Sequence, residues 1–254
     1  MLERIIRVKQ QEVQELKNRL NVDDITPGQH HLDVKKIFRK ATNNIAIIAE
    51  VKKASPLKGI LANELDMLQL ADCYRENGAT AISYITDSQF FQGQKECLPR
   101  VKEITGLPVL RKEFIFDEIQ LYETVLLQAD MVLLIAALHD YSKLLSLSEK
   151  SRELDIEVLL EVHDWEEVQK AKDLPIKIMG VNNRNLKDFS VDVHRSLELS
   201  EHIPPSFIKV SESGIKTRED IQLLKEHGYN AVLVGEALVT APDPGEKLRE
   251  LIGF

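Results

Sequence analysis

Acidic, basic and amide side chains stand at the ends of four short aliphatic runs in this chain. Ala46, Ile48, Glu50 and Lys52 alternate through one run, Leu110 and Lys112 through a second, Glu157, Leu159 and Glu161 through a third, and Ile178, Gly180, Asn182 and Arg184 through a fourth. Alternate residues of a β-strand share a face. If the runs are strands and these faces turn inwards, Glu50, Lys52, Lys112, Glu161, Asn182 and Arg184 meet at one cavity mouth. Ammonium groups among carboxylates suit acid–base chemistry, one group giving a proton and another taking it. A single Lys or Glu at a strand end is more often a solvated boundary charge. Four ends alike are harder to explain that way, because ionisable groups crowded into an enclosed site are costly unless paired or used.

Two other segments could hold an anion. Ser211-Glu212-Ser213-Gly214-Ile215 and Gly235-Glu236-Ala237-Leu238 follow the last two aliphatic runs. Glycine lets backbone N–H groups approach a ligand, and the loops after the last two strands of an α/β barrel commonly bind phosphate with a short helix. The candidate donors are the amides of Ser213, Gly214, Gly235 and Glu236, with the Glu236 side chain turned outwards. The histidines carry less. His163 has the parity opposite to Glu161 and reads as structural, while His139, His194, His202 and His227 read as surface residues. Cys73 and Cys97 have no CxxC spacing, and Cys73 reads as a small buried hydrophobe on an amphipathic helix. No metal site and no cofactor is expected.

The elements that position these groups follow from periodicity. Runs at Ile45–Val51, Ala81–Thr86, Pro108–Lys112, Met131–Ala136, Ile156–Val162, Ile176–Asn182, Phe207–Ser211 and Ala231–Val234 are separated by helix-like amphipathic segments. Several are apolar on both faces, as strands covered on both sides must be. Thr217 with Asp220, and Asp243 with Glu246 and Pro244, mark helix starts. Eight strand–helix units in 254 residues predict an α/β fold, a single (β/α)8 TIM barrel over residues 1–254. Residues 1–44 form its helical N-terminal extension, opened by a helix carrying Leu2, Ile6, Val13, Leu16 and Leu20 on one face. The formal charge of −8 opposes nonspecific nucleic-acid binding. No apolar run is long enough to span a bilayer, and no signal or transit peptide is evident. The expected setting is cytoplasmic, as a monomer or weak homodimer, with a small sugar phosphate as the partner.

Six segments in register also resemble the indole-3-glycerol-phosphate synthase family. They are Ile48–Pro56, Leu110–Ile115, Leu160–His163, Gly180–Leu186, Val210–Ile215 and Val234–Leu238. The resemblance covers essentially the whole chain and implies ring closure, decarboxylation and dehydration of 1-(2-carboxyphenylamino)-1-deoxyribulose 5-phosphate in tryptophan biosynthesis, without cofactor or metal. It implies Lys112 as general acid, Glu161 as base, Lys52 as a contact for substrate anions and Glu50 as the group orienting the lysines. Asn182 and Arg184 would hold the hydroxyl and carboxylate region. Ser55, Pro56, Phe91, Phe114 and Leu233 would line the substrate pocket, and Ser213, Gly214, Gly235 and Glu236 would bind phosphate. An ammonium acts as acid most readily if neighbouring cations lower its pKa towards neutrality, which is the expectation for Lys112. Leu57, Tyr84 and Gln94–Cys97 depart from the family pattern. A phosphoribosylanthranilate isomerase-like barrel is the enzyme alternative, but it needs a Cys near the first strand. A non-catalytic phosphate-binding barrel would need no Lys112–Glu161 pair.

Overall fold

A computed structural model of the chain describes residues 2–26, 32–40, 45–55, 59–60, 66–186 and 188–254. Its parallel strands are β1 (Ala46–Val51), β2 (Ala81–Ile85), β3 (Val109–Lys112), β4 (Met131–Ile135), β5 (Glu157–Val162), β6 (Ile178–Asn182), β7 (Ile208–Glu212) and β8 (Ala231–Val234). Each pairs with the next and β8 pairs with β1, closing a barrel. Register shows the closure: Ile48 lies opposite Leu233 on one side and Ala81 on the other. The architecture is the (β/α)8 barrel expected from the periodicity. One boundary differs with chemical consequence, since β7 continues through Glu212 instead of stopping at Ser211.

The inward face is the one that parity selects. Ala46, Ile48, Leu110, Leu159, Ile178, Val210 and Leu233 belong to one buried interior cluster, whereas Ile47, Ala49, Leu160 and Val181 pack outwards under the helices. Each inward row therefore runs from aliphatic core to polar mouth. The extension closes the barrel's other end: Val34 and Phe38 of α2 (Val34–Lys40) join the interior cluster. The first helix, α1 (Leu2–Arg19), packs Val13 and Leu16 against Ile119 at the start of α6 (Glu118–Leu126). Its buried stripe is Ile5, Lys9, Val13 and Leu16, with Ile6 only half-buried. A lysine thus occupies a core position that helical spacing would assign to an aliphatic residue.

Local signals behave as their chemistry dictates. Thr217 and Asp220 form a reciprocal capping box at α10 (Arg218–Glu226), and Asp243 caps α12 (Pro244–Ile252), which begins with its proline. Two of the family departures form one unit: buried Tyr84 donates its hydroxyl to the Gln94 carbonyl at 3.3 Å, just before the 3-10 turn Lys95–Cys97. Cys73, on α3 (Met67–Glu76), is half-buried rather than buried.

Candidate active site

Lys112 ends β3 on its inward side and meets two carboxylates from across the barrel. Its Nζ lies 2.7 Å from Glu212 Oε2, at the end of β7, and 3.5 Å from Glu161 Oε2 on β5. Asn182, at the end of β6, donates its amide to Glu161 Oε1 at 3.0 Å. On β1, Glu50 Oε1 lies 2.8 Å from Lys52 Nζ. All five expected catalytic side chains, Glu50, Lys52, Lys112, Glu161 and Asn182, thus gather at one mouth. Register places Asn182 beside Glu212 and Glu161 beside Gly180. A Cβ on Gly180 would meet Glu212 Oε1, so a larger residue there displaces that carboxylate.

The carboxylates and Asn182 are buried and the two lysines half-buried, so their charges decide one another's protonation. Burial alone would lower the Lys112 pKa, but Glu212, Glu161 and Glu50 together carry it well above the ordinary ammonium value. The expectation of a lowered Lys112 pKa is therefore corrected: its neighbours are carboxylates, not cations. Burial likewise pushes Glu161 up, but Lys112, His163 and Asn182 hold it down, at about 2. Glu50 is also held below the ordinary value, against burial, by Lys52 and Lys112. Glu212 goes the other way, raised to about 7 by burial, with Glu161 and Glu50 opposing the pull of Lys112. Lys112 is closer to Glu212 than to Glu161, so distance to the cation does not explain the contrast. Glu161 has Asn182 and His163 as further partners, whereas Glu212 Oε1 is buried without a hydrogen-bond partner among the described residues.

The rest of the predicted site divides. Phe91, ending α4 (Ser88–Phe91), and Phe114, just after β3, are half-buried with ring centroids 6.4 Å apart. Leu233 lies in the interior cluster against which Phe114 packs. The loops after β7 and β8 are neighbours, since Glu212 pairs with Leu233. Ser213 and Gly214 adopt φ of 69° and 83°, and the Asn183 amide holds the Ser213 carbonyl at 2.9 Å. Gly235 caps the one-turn helix α11 (Glu236–Val239) and gives room to the ion pair of β1, for its Cβ would lie 2.4 Å from Glu50 Oε1 and 3.0 Å from Lys52 Nζ. The Glu236 side chain is about a third exposed. Its Oε2 lies 3.8 Å from Arg184 Nη2, and Arg184 also donates to the Phe189 carbonyl. The backbone of Ser55 forms a short ladder with Gly59, while Pro56 and Leu57 lie outside the described residues.

A family model for indole-3-glycerol phosphate synthase matches residues 2–251. The chain belongs to that family. Relatives of that name include the protein of Legionella pneumophila (strain Paris), 40% identical over 255 residues, covering 99% of this chain and 98% of its own. That of Alkaliphilus metalliredigens is 41% identical over 254 residues, covering 99% and 97%. Among solved structures, 3-hexulose-6-phosphate synthase from Salmonella typhimurium aligns with a TM-score of 0.67 at 15% identity, over 82% of this chain and 96% of that one. A likeness so distant in sequence speaks for the barrel alone.

In this member of the indole-3-glycerol phosphate synthase family, two residues at the mouth escaped the reading of the sequence as site residues. Glu212 shares parity with Ile208 and Val210, and that alternation would have found it had the strand been carried one residue further. His163 reads as structural, yet its Nε2 stands 3.2 Å from Glu161 Oε1 and its Nδ1 3.2 Å from Glu167 Oε2. Burial lowers its pKa, but the two carboxylates raise it to about 10, so the imidazole is a cation beside Glu161 at neutral pH. His139 and His227 are half-buried rather than exposed; His139 faces the Ile115 carbonyl at 2.8 Å and the Phe116 ring.

Proposed function

We propose that the chain acts as an indole-3-glycerol phosphate synthase of tryptophan biosynthesis, converting 1-(2-carboxyphenylamino)-1-deoxyribulose 5-phosphate to indole-3-glycerol phosphate, carbon dioxide and water. The observation that carries this reading is the ammonium of Lys112 between Glu212 and Glu161 at the barrel mouth, in a chain of that family.

The reaction needs what those groups supply. Ring closure joins the aromatic carbon bearing the carboxylate to the ketone carbon, and the carbonyl pair moves onto oxygen, where Lys112 gives it a proton. Carbon dioxide then leaves, returning its bond pair to the ring. In dehydration the new hydroxyl takes a second proton and departs as water, while Glu161 removes a proton from the carbon beside nitrogen. Oxygen gains two protons and carbon loses one, so each turnover takes up one proton. Glu212, raised to about 7 and 2.7 Å from Lys112, is suited to pass that proton on. Lys52 and Arg184 offer cations to the substrate's anions, Asn182 a donor to its hydroxyl, and Glu50 holds Lys52 in place. Phe91, Phe114 and Leu233 make the pocket for the aromatic ring. The phosphate lies against the backbone of Ser213, Gly214, Gly235 and Glu236. The enzyme works in the cytoplasm as a monomer or weak homodimer.

Steady-state turnover of the carboxyphenylamino substrate, followed by the fluorescence of the indole product, tests the reading. Product at a rate proportional to enzyme concentration supports it. Binding without turnover would leave only a phosphate-binding barrel.

A further inference from the structure

Lys9 belongs to the N-terminal helix, yet it is only 1% exposed and its ammonium serves two loops at the barrel mouth. Its Nζ lies 2.7 Å from Asp87 Oδ2, 3.0 Å from Glu113 Oε1 and 2.8 Å from Glu12 Oε2. Glu12 accepts a hydrogen bond from the ammonium, and Asp87 and Glu113 pair with it as ions. The two distant carboxylates each have a second task. Asp87 Oδ1 accepts from the Phe90 and Phe91 amides at 2.6 and 3.1 Å, fixing the start of α4. Glu113 Oε1 accepts from the Phe114 amide at 2.8 Å, and its Oε2 takes the Thr86 hydroxyl at 3.0 Å. The backbone amides of Phe91 and Phe114 are therefore each one carboxylate away from the same ammonium, and their rings form the tilted pair at the mouth.

A buried charge cluster of this kind contributes little net stability compared with well-packed apolar groups, but it fixes geometry, because each partner is held at hydrogen-bond length. Asp87 and Glu113 follow different strands, and among the described residues of this cluster Lys9 alone pairs with both from the N-terminal helix. We propose that Lys9 is a positioning residue for the substrate's aromatic pocket, spacing Phe91 and Phe114 by clamping the loops after β2 and β3 from the N-terminal helix. The inference rests on the reading of those two rings as the wall that receives the carboxyphenylamino group.

The test uses two fragments of the substrate as competitive inhibitors of the full chain, 2-aminobenzoate for the aromatic end and glycerol 3-phosphate for the other. Lys9→Met is compared with the triple variant Lys9→Met/Asp87→Asn/Glu113→Gln, which leaves neither loop carboxylate charged and carries the test if the single variant does not fold. Both variants should weaken 2-aminobenzoate roughly tenfold, the scale of a small misplacement of binding groups. The inhibition constant for glycerol 3-phosphate should stay within about twofold, and KM should rise more than kcat falls. A merely structural lysine would lower thermal stability while changing neither inhibitor, or both alike; either result overturns the proposal. So does loss of folded circular dichroism in both variants, which would make Lys9 a determinant of folding. Phe114→Ala separates the two levels of the argument. If it leaves 2-aminobenzoate binding intact, the pocket reading fails; if it weakens binding while the Lys9 variants do not, only the clamp fails.

Discussion

Lys9, buried, and Lys112, half-buried at the mouth, each have three carboxylates around them, and both have a pKa driven well above the ordinary value. They differ in what the carboxylates do next. Around Lys9, Asp87 caps a helix, Glu113 holds a backbone amide and a hydroxyl, and Glu12 reaches solvent. Around Lys112, Glu161 accepts a hydrogen bond from Asn182 and pairs with His163 as an ion, but Glu212 keeps one buried oxygen without a hydrogen-bond partner among the described residues. Asp87 Oδ2 in the clamp also has no hydrogen-bond partner among the described residues, but it lies 2.7 Å from the Lys9 ammonium. Leaving Glu212 under-satisfied beside the Lys112 ammonium keeps a proton available for chemistry.

The largest expected difference between the two clusters is in turnover. Lys112→Ala should lower kcat by about two to four orders of magnitude, the usual worth of a positioned proton donor. Lys9→Met should instead leave kcat largely intact, with its kinetic cost falling on KM, and lose about 3 kcal/mol or more by urea unfolding, as for a buried ion pair that loses one partner. An alanine variant at 112 keeping more than about a tenth of wild-type kcat, with chemistry rate-limiting, would make the two lysines alike and remove the contrast.

Glu161→Gln is the next step down. The amide keeps the hydrogen bond with Asn182 but cannot accept a proton, so the ring-closed, decarboxylated intermediate should accumulate in single-turnover quenches. If substrate alone builds up, Glu161 acts before dehydration.

Glu212 gives the contrast a pH axis. With its pKa raised from 4.5 to about 7, its protonated form suits the fold below about pH 4.5, and stability is lost as pH rises through 7. Glu161, held at about 2, contributes above its ordinary value of 4.5 and loses that contribution as pH falls towards 2. If Glu212 supplies the replacement proton, kcat falls as pH climbs through about 7. Glu212→Gln should flatten that limb at a lower ceiling and gain stability relative to wild type between about pH 5 and 8. A variant that keeps the same alkaline limb assigns it to another group.

Much of the mouth was legible because a strand's period is two. Once Ile48, Leu110, Leu159 and Ile178 are taken as inward, Glu50, Lys112, Glu161 and Asn182 follow without knowledge of the fold's details. Glu212 was lost by a single residue at a strand end, where Ser-Glu-Ser-Gly resembles a turn. The protonation of Lys112 was misjudged because it depends on residues 49 and 100 positions away in sequence, which only barrel closure brings near. Lys9 was illegible for the same reason: a lysine in a helix announces nothing about partners at positions 87 and 113.

The smallest effects concern the loop after β8, where two adjacent residues should behave in opposite ways. Glu236 lies 3.8 Å from Arg184, and both side chains are about a third exposed, so their attraction is screened and worth less than about 1 kcal/mol. Glu236→Gln removes a negative charge near the proposed phosphate and loosens Arg184, so KM should fall slightly or stay within about fivefold. Gly235 has no such latitude. Even the methyl of Gly235→Ala would press on Glu50 and Lys52, at 2.4 and 3.0 Å, and move the β1 ion pair as well as the backbone offered to phosphate. That variant should lose at least about tenfold in kcat/KM, because a displaced charged pair shifts both binding and chemistry. Steady-state kinetics of the two variants side by side decide the point. If Glu236→Gln proves the more damaging, the Glu236 carboxylate itself holds substrate, and the assignment of phosphate to the four backbone amides is wrong.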